Sequence, residues 1–315
     1  MTNSRSDPYL TNCIFSGNLT GSEGGGMFNS WYCNLTITNC TFIGNLAAEC
    51  GAGMFNVRNS STLTSCIMWG NTSTQGNAIY LAAYSVSGKV YPTELTLGYS
   101  DIQGGFAGIY VEAGCTLNWS LGNIDVDPCF VEPGYWDSNG TPKDVNDDVW
   151  VDGNYHLLPG SPCIDAGDLD YIPGPDDTDL DGRPRVMDGD NDGVLVVDMG
   201  AYEYRFTIAA EARIVPRTIN LQSKGKWIAA YIQLPEDYNV TDIDPNSIFF
   251  ENEIEPQWLW CDEEEQVVMV RFSRSEVQSI LDIGDNELTI TGQLTDGTAF
   301  KASDTIKVID KAGKN

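Results

Sequence analysis

Two runs of alternating aspartates are the residues best suited to binding chemistry. Asp177, Asp179 and Asp181 occupy every second position, Gly182 follows, and five residues separate that glycine from Asp188. Asp188, Asp190 and Asp192 repeat the arrangement at once, with Gly193 next and Asp198 downstream. Alternate carboxylates around a turn-permitting glycine fit the calcium-loop template, in which several oxygens converge on one hard cation. The same residues also suit a solvated acidic loop whose Asp side chains cap turns. Asp188 is shared by both runs and neither ends in a bidentate glutamate, so a Ca2+ ion here is expected to be structural and of modest affinity.

The charge distribution points to the same stretch. The chain carries 45 acidic residues against 17 Lys and Arg, a net charge of -28. Residues 125–205 hold twenty acids and four bases, residues 1–124 only six and three, and residues 206–315 nineteen and ten. Such a balance excludes nucleic acid, whose phosphates call for cations, and anionic lipid as partners. No run approaches the roughly 20 apolar residues of a membrane span. His156 is the only histidine and the nine cysteines include no CxxC pair, which excludes a zinc site of the usual spacing. In YHLLPG, His156 reads as a half-buried aromatic or as a general base.

A repeat organises the N-terminal part. TNCIFSGN (11–18), TNCTFIGN (38–45) and TSCIMWGN (64–71) start 27 and 26 residues apart, and GGGMFN (24–29), GAGMFN (51–56), GNAIYL (76–81) and AGIYV (107–111) keep nearly the same period. The units alternate short β-branched stretches with Gly and Asn and hold no 3.6-residue stripe, so each is a coil of strands. Coils stacked at a strand spacing of about 4.8 Å would place like residues in columns. Phe15, Phe42 and Met68 should line the interior, Asn18, Asn45 and Asn71 should form an amide ladder, and Cys13, Cys40 and Cys66 should form a third column. Three uses of that last column are open: small buried apolar residues, one disulfide, or a reactive thiol. Met1 holds the repeat position of Met54, so the chain is expected to begin inside a coil, with further coils and any secretion signal upstream.

GGGMFN followed by NCTFIGN resembles the GGAI and FxxN repeats of polymorphic outer membrane proteins and related bacterial surface β-helices, over about residues 1–125. The likeness departs after Gly76, where FxxN is lost and an insertion around Ser85 to Thr93 lengthens the coil. YHLLPGSPCIDAGD (155–168), DLDGRPRV (179–186) and VDMGAYEY (197–204) resemble the choice-of-anchor Q domain, which follows the β-helix in many bacterial surface proteins. That resemblance implies an extracellular or envelope-associated location and carries no catalytic residues.

The expected architecture is all-β: a right-handed parallel β-helix over 1–125, an acidic loop-rich cap region over 126–205 that closes its end, and a C-terminal β-sandwich, Ig-like, over 206–315. KWIAAYIQL, SIFFENEI, QVVMVRF, NELTITGQL and DTIKVI supply strands of the last part, and SRSEVQSILD one helix. Trp258, Trp260 and Tyr231 there suit a sugar-stacking platform or core and edge packing. The coil holds only Arg5, Arg58 and Lys89 as bases, and its acids Asp7, Glu23, Glu49, Glu94, Asp101 and Glu112 form no repeated pair. The expected function is therefore a non-catalytic surface scaffold that adheres to carbohydrate or a cell-surface protein. The alternative is a fragment of a parallel β-helix polysaccharide lyase or glycoside hydrolase, which needs a base or paired carboxylates at a sugar bond.

Overall fold

The computed structural model describes residues 1–141 and 147–311, and the chain divides into two compact units, Met1–Arg205 and Phe206–Asn315. Both are all-β. The sole α-helix among the described residues is Arg274–Ser279, and no helix there is long and apolar enough to cross a membrane.

In the first unit the chain visits three parallel sheets in rotation. Thr2–Ser4, Met27–Ser30, Met54–Val57, Ile79–Ala82 and Ile109–Val111 form the first sheet. Tyr9–Thr11, Asn34–Thr38, Ser60–Thr64, Glu94–Gly98 and Thr116–Trp119 form the second, and Ile14–Ser16, Thr41–Ile43, Ile67–Trp69 and Asp101–Ile102 the third. Each strand pairs with its counterpart one circuit away in unshifted register, Phe15 with Phe42 and Phe42 with Met68. The column expected at these positions exists: the Phe15 and Phe42 rings stack at 4.6 Å, and Phe42 and Met68 are fully buried. Leu35, Ile37, Leu63, Leu95 and Leu97 fill the interior from the second sheet, Met27, Met54 and Ile79 from the first.

Two amide ladders run through the stack. Asn18 Nδ2 donates to Asn45 Oδ1 at 2.8 Å and Asn45 Nδ2 to Asn71 Oδ1 at 2.9 Å. A second ladder, Asn3 to Asn29 to Asn56, has steps of 2.8 and 2.9 Å. Asn45 is saturated, because its Nδ2 also donates to the Phe15 carbonyl while its Oδ1 also accepts from the Asn18 backbone.

The cysteine column serves the turn between the second and third sheets. Asn12, Asn39, Ser65 and Tyr99 adopt φ of 53°, 54°, 52° and 50°, a left-handed conformation that costs a non-glycine residue on the order of 1 kcal/mol or more. The next residue compensates. Cys13, Cys40 and Cys66 thiols donate to the carbonyls of Thr11, Thr38 and Thr64, and Ser100 does the same toward Gly98. The neighbouring circuit adds a second bond, as Cys40 Sγ accepts from Cys13 N–H and Ser100 Oγ from Cys66 N–H. Serine replaces cysteine without loss of the pattern, and all nine cysteines are free of disulfides.

The insertion after Gly76 leaves the circuit intact. Tyr84–Val86 and Lys89–Tyr91 form an antiparallel hairpin, after which Glu94 still pairs with Ser60. Residues 130–141 and 147–204 lie along the outer flank of the third sheet instead of closing an end of the stack. Ile43, Ile67, Phe130, Tyr155, Leu157, Cys163 and Met199 share one core there, and Ala201 N–H donates to Thr41 Oγ1. The repeat glycines Gly17, Gly44 and Gly70 all turn at positive φ, and the flank also covers the first two. Trp150 lies where a Cβ on Gly17 or Gly44 would fall, at 2.0 Å from either, and Trp136 Nε1 donates to the Gly44 carbonyl.

The second unit is one mixed sheet of eight strands, including Thr207–Val215, Trp227–Gln233, Val267–Ser273, Gly284–Gln293 and Ala299–Ile309. Alternation along them buries Ile228, Ala230, Ile232, Val268, Val270, Phe272, Ile290 and Phe300 in a single core. The helix covers part of the stretch expected from SRSEVQSILD.

Asn45→Ala should cost about 2–4 kcal/mol in urea unfolding, since it leaves buried partners in two circuits unpaired. Asn18→Ala, at a half-buried rung, should cost only about 1 kcal/mol. Equal costs for the two would show that the ladder is not the stabilising element.

Candidate functional site

The acidic segment folds on its own carboxylates. Asp179 is buried; its Oδ1 accepts from the N–H groups of Asp181 and Arg183 at 2.9 and 2.8 Å, and its Oδ2 from Glu203 N–H at 2.9 Å. Asp198 is also buried and accepts from the N–H groups of Asp165 and Tyr204. Arg185, the largest fully buried side chain, lies 2.9 Å from Glu203 Oε1 and donates to the Asp198 and Gly200 carbonyls. Asp179, Arg185, Asp198 and Glu203 therefore make an internal charge network with more carboxylates than cations. Burial and the Asp198 charge push the Glu203 carboxyl far above the usual carboxylate range, and burial raises Asp198 to about 7.

The aspartates singled out by spacing consequently part company. Asp177 accepts from the Tyr171 hydroxyl and Asp181 pairs with His156 at 2.8 Å and Arg183 at 3.1 Å. Asp192 Oδ1 accepts from Val194 N–H. Asp188 and Asp190 alone converge, and their partner is Asp165, which the alternate spacing does not contain. One carboxylate oxygen from each lies within 4.8 Å of the others. Asp165 is held by the N–H groups of Gly189 and Asp190, and burial, reinforced by the charges of Asp190 and Asp188, raises it to about 6. Three carboxylates this close repel one another, and a cation of oxygen preference would relieve that repulsion.

His156 lies flat on Tyr202, with ring centroids 4.0 Å apart, and both ring nitrogens are engaged, by Asn154 and Asp181. In the second unit Trp260 pairs with Met269 and Met269 with Tyr231, so the two rings share a row of one sheet face with Trp258 one row away. All three are exposed, Trp260 by 48%, which removes them from the core. Arg271 lies over Trp258 at 4.5 Å.

Asp101 is the coil carboxylate in the least expected place. It is fully buried in the third sheet, accepts from Val126 N–H and from the Cys163 thiol, and burial raises it to about 7. No family model, curated protein or solved structure matches the chain.

Two outcomes follow from the buried charges. Arg185→Met should destabilise the first unit by about 3–5 kcal/mol, because it strands carboxylates without their cation; a loss below 1 kcal/mol in thermal or urea unfolding would contradict the network. Asp101 keeps its proton to about 7 when folded and loses it near 4 when unfolded, so the folded state binds more protons between those limits. Its contribution is fully present below about pH 4 and is lost as pH rises, at up to about 1.4 kcal/mol per unit. Asp101→Asn should therefore gain on the wild type as the pH climbs from 4 to 7, and a constant difference would refute the assignment.

Proposed function

We propose that this protein is a non-catalytic, extracellular or cell-surface scaffold: a right-handed parallel β-helix stalk, a flanking domain of the choice-of-anchor Q kind, and a β-sandwich module, Ig-like, that meets carbohydrate or a neighbouring surface. The observation that carries the reading is that the two amide ladders and the thiol column are engaged with their own copies and with turn carbonyls. The ladder amides bond one another and the thiols take up the carbonyls of the turns, so none of these three columns is poised for acid or base work. Three coil carboxylates are likewise occupied: Asp7 accepts from Asn34 N–H, Glu112 from Tyr80 and the Ala83 backbone, and Glu94 from Asn118. Three parallel sheets visited in rotation support the helical stalk, and the exposed row of Trp260 and Tyr231 supports a sugar-facing second unit. Ca2+ bound by Asp165, Asp188 and Asp190 completes the proposal, with the ion pinning two loops of the flank.

A polysaccharide panel separates the classes. Retention without release of reducing or unsaturated ends is expected; product release would establish the lyase or hydrolase alternative. For the cation, saturating Ca2+ should raise the melting temperature and EGTA should lower it, since an ion at a hundredfold excess over its Kd stabilises the native state by about 2.7 kcal/mol. Asp188→Asn should abolish the difference. A melting curve indifferent to EGTA would eliminate the ion.

A further inference from the structure

Residues 1–124 contain three bases, Arg5, Arg58 and Lys89, and the fold brings all three to one edge. Arg5 and Arg58 occupy left-handed turns between the first and second sheets, with Trp31 and Tyr32 on the circuit between them. Arg5 N–H donates to the Trp31 carbonyl and Tyr32 N–H to that of Arg58, so the three turns lie one on another. Lys89 arrives on the extruded hairpin, whose Tyr84 and Tyr91 join the group. The Arg58 guanidinium sits 4.0 Å from the centre of Tyr91, 4.2 Å from Tyr32, 4.8 Å from Trp31 and 5.6 Å from Tyr84. Lys89 Nζ lies 4.8 Å from the Tyr91 ring.

Two features separate this cluster from ordinary surface packing. In a chain of net charge -28, none of these cations is in an ion pair among the described residues. The Arg58 side chain donates to the Tyr32 hydroxyl alone, and its Nε is buried with no partner. Asp7 and Glu112, which approach the same turns, are spent on the Asn34 and Ala83 N–H groups, so the cations gathered among these rings are open to an anion from outside. Its aromatic setting calls for a ligand that also has an apolar face, as a pyranose has.

We propose that Arg58, ringed by Trp31, Tyr32, Tyr84 and Tyr91 and flanked by Arg5 and Lys89, binds an acidic sugar, with the guanidinium on its carboxylate and an aromatic face against the ring. The inference rests on the carbohydrate-binding reading above and adds to the aromatic row of the second unit a separate site in the first unit, for a ligand of negative charge. Single-stranded nucleic acid offers the same stacking and charge, and oligothymidylate therefore serves as the rival ligand.

Calorimetric titration of the full chain with trigalacturonate, neutral maltotriose and oligothymidylate tests it. Trigalacturonate should bind, and about 0.5 M salt should weaken it through screening. Arg5→Gln combined with Lys89→Gln alters only exposed side chains, should leave the melting curve unchanged, and should weaken binding about tenfold. Arg58→Gln should weaken it about a hundredfold. Equal binding of maltotriose, Arg58-dependent binding of oligothymidylate, indifference to the Arg5 and Lys89 changes, or no binding of trigalacturonate would each overturn the site while leaving the scaffold reading intact. Cleavage of the trimer would instead sink the non-catalytic reading, and its loss in Arg58→Gln would still support the site.

Discussion

Parallel pairing in unshifted register between successive circuits is the constraint from which the first unit follows. It sets equivalent residues about 4.8 Å apart along a common direction. A side chain at a repeat position thus meets its own copy before it meets anything else, and the residues that persist are those that satisfy themselves. Asparagine does so through its amide, which donates to one neighbour while accepting from the other, and phenylalanine does so by stacking. Asn45 goes further and also binds the Phe15 carbonyl, which ties the ladder to the backbone of the next circuit.

Stacking has a cost at the corners. Turning sharply from the second sheet to the third requires a left-handed residue, and the chain places Asn12, Asn39, Ser65 and Tyr99 there. The thiol or hydroxyl that follows takes up the carbonyl left by the turn, and Cys40 and Ser100 also receive an N–H from the adjacent circuit. Cysteine here is a hydrogen-bonding group of the right size, which is why Ser100 continues the column. The same corner receives the flank: Asn12 Nδ2 donates to the Thr178 carbonyl, Asp168 N–H to Ser65 Oγ, and Gly200 N–H to the Ser65 carbonyl. The internal network of Asp179, Arg185, Asp198 and Glu203 holds that flanking segment in the shape that fits.

Much of this was legible in the repeat, because a column is a one-dimensional property that spacing reports directly. The Phe15, Phe42 and Met68 column and the Asn18, Asn45 and Asn71 ladder are of that kind. Asn3, Asn29 and Asn56 carry the same signal, since two of them stand in the recurring MFN, yet a residue inside a motif does not announce which way it points. The acidic segment was harder. Alternate aspartates fit a calcium loop and a set of turns capped by carboxylates equally well, and only burial distinguishes Asp179 from Asp188. Asp165 enters the acidic triad from a different loop, so no local pattern contains it. The rings around Arg58 come from two circuits and an insertion, and each is unremarked alone.

The same geometry explains where charge is found. A charged residue in a repeat column would face its copies at about 4.8 Å, a repulsion near 1 kcal/mol per pair in water and more where water is excluded. No column accordingly sets like charges side by side, and residues 1–124 hold only nine charged side chains. Ionised groups stand where no charged copy is next to them: Lys89 on the extruded hairpin, Arg5 and Arg58 in one turn column with Trp31 between them, and above all the flank, which has no copy of itself to repel. Recognition that depends on charge therefore falls where copies differ, and the rest of the repeated surface is left to bear length and stiffness.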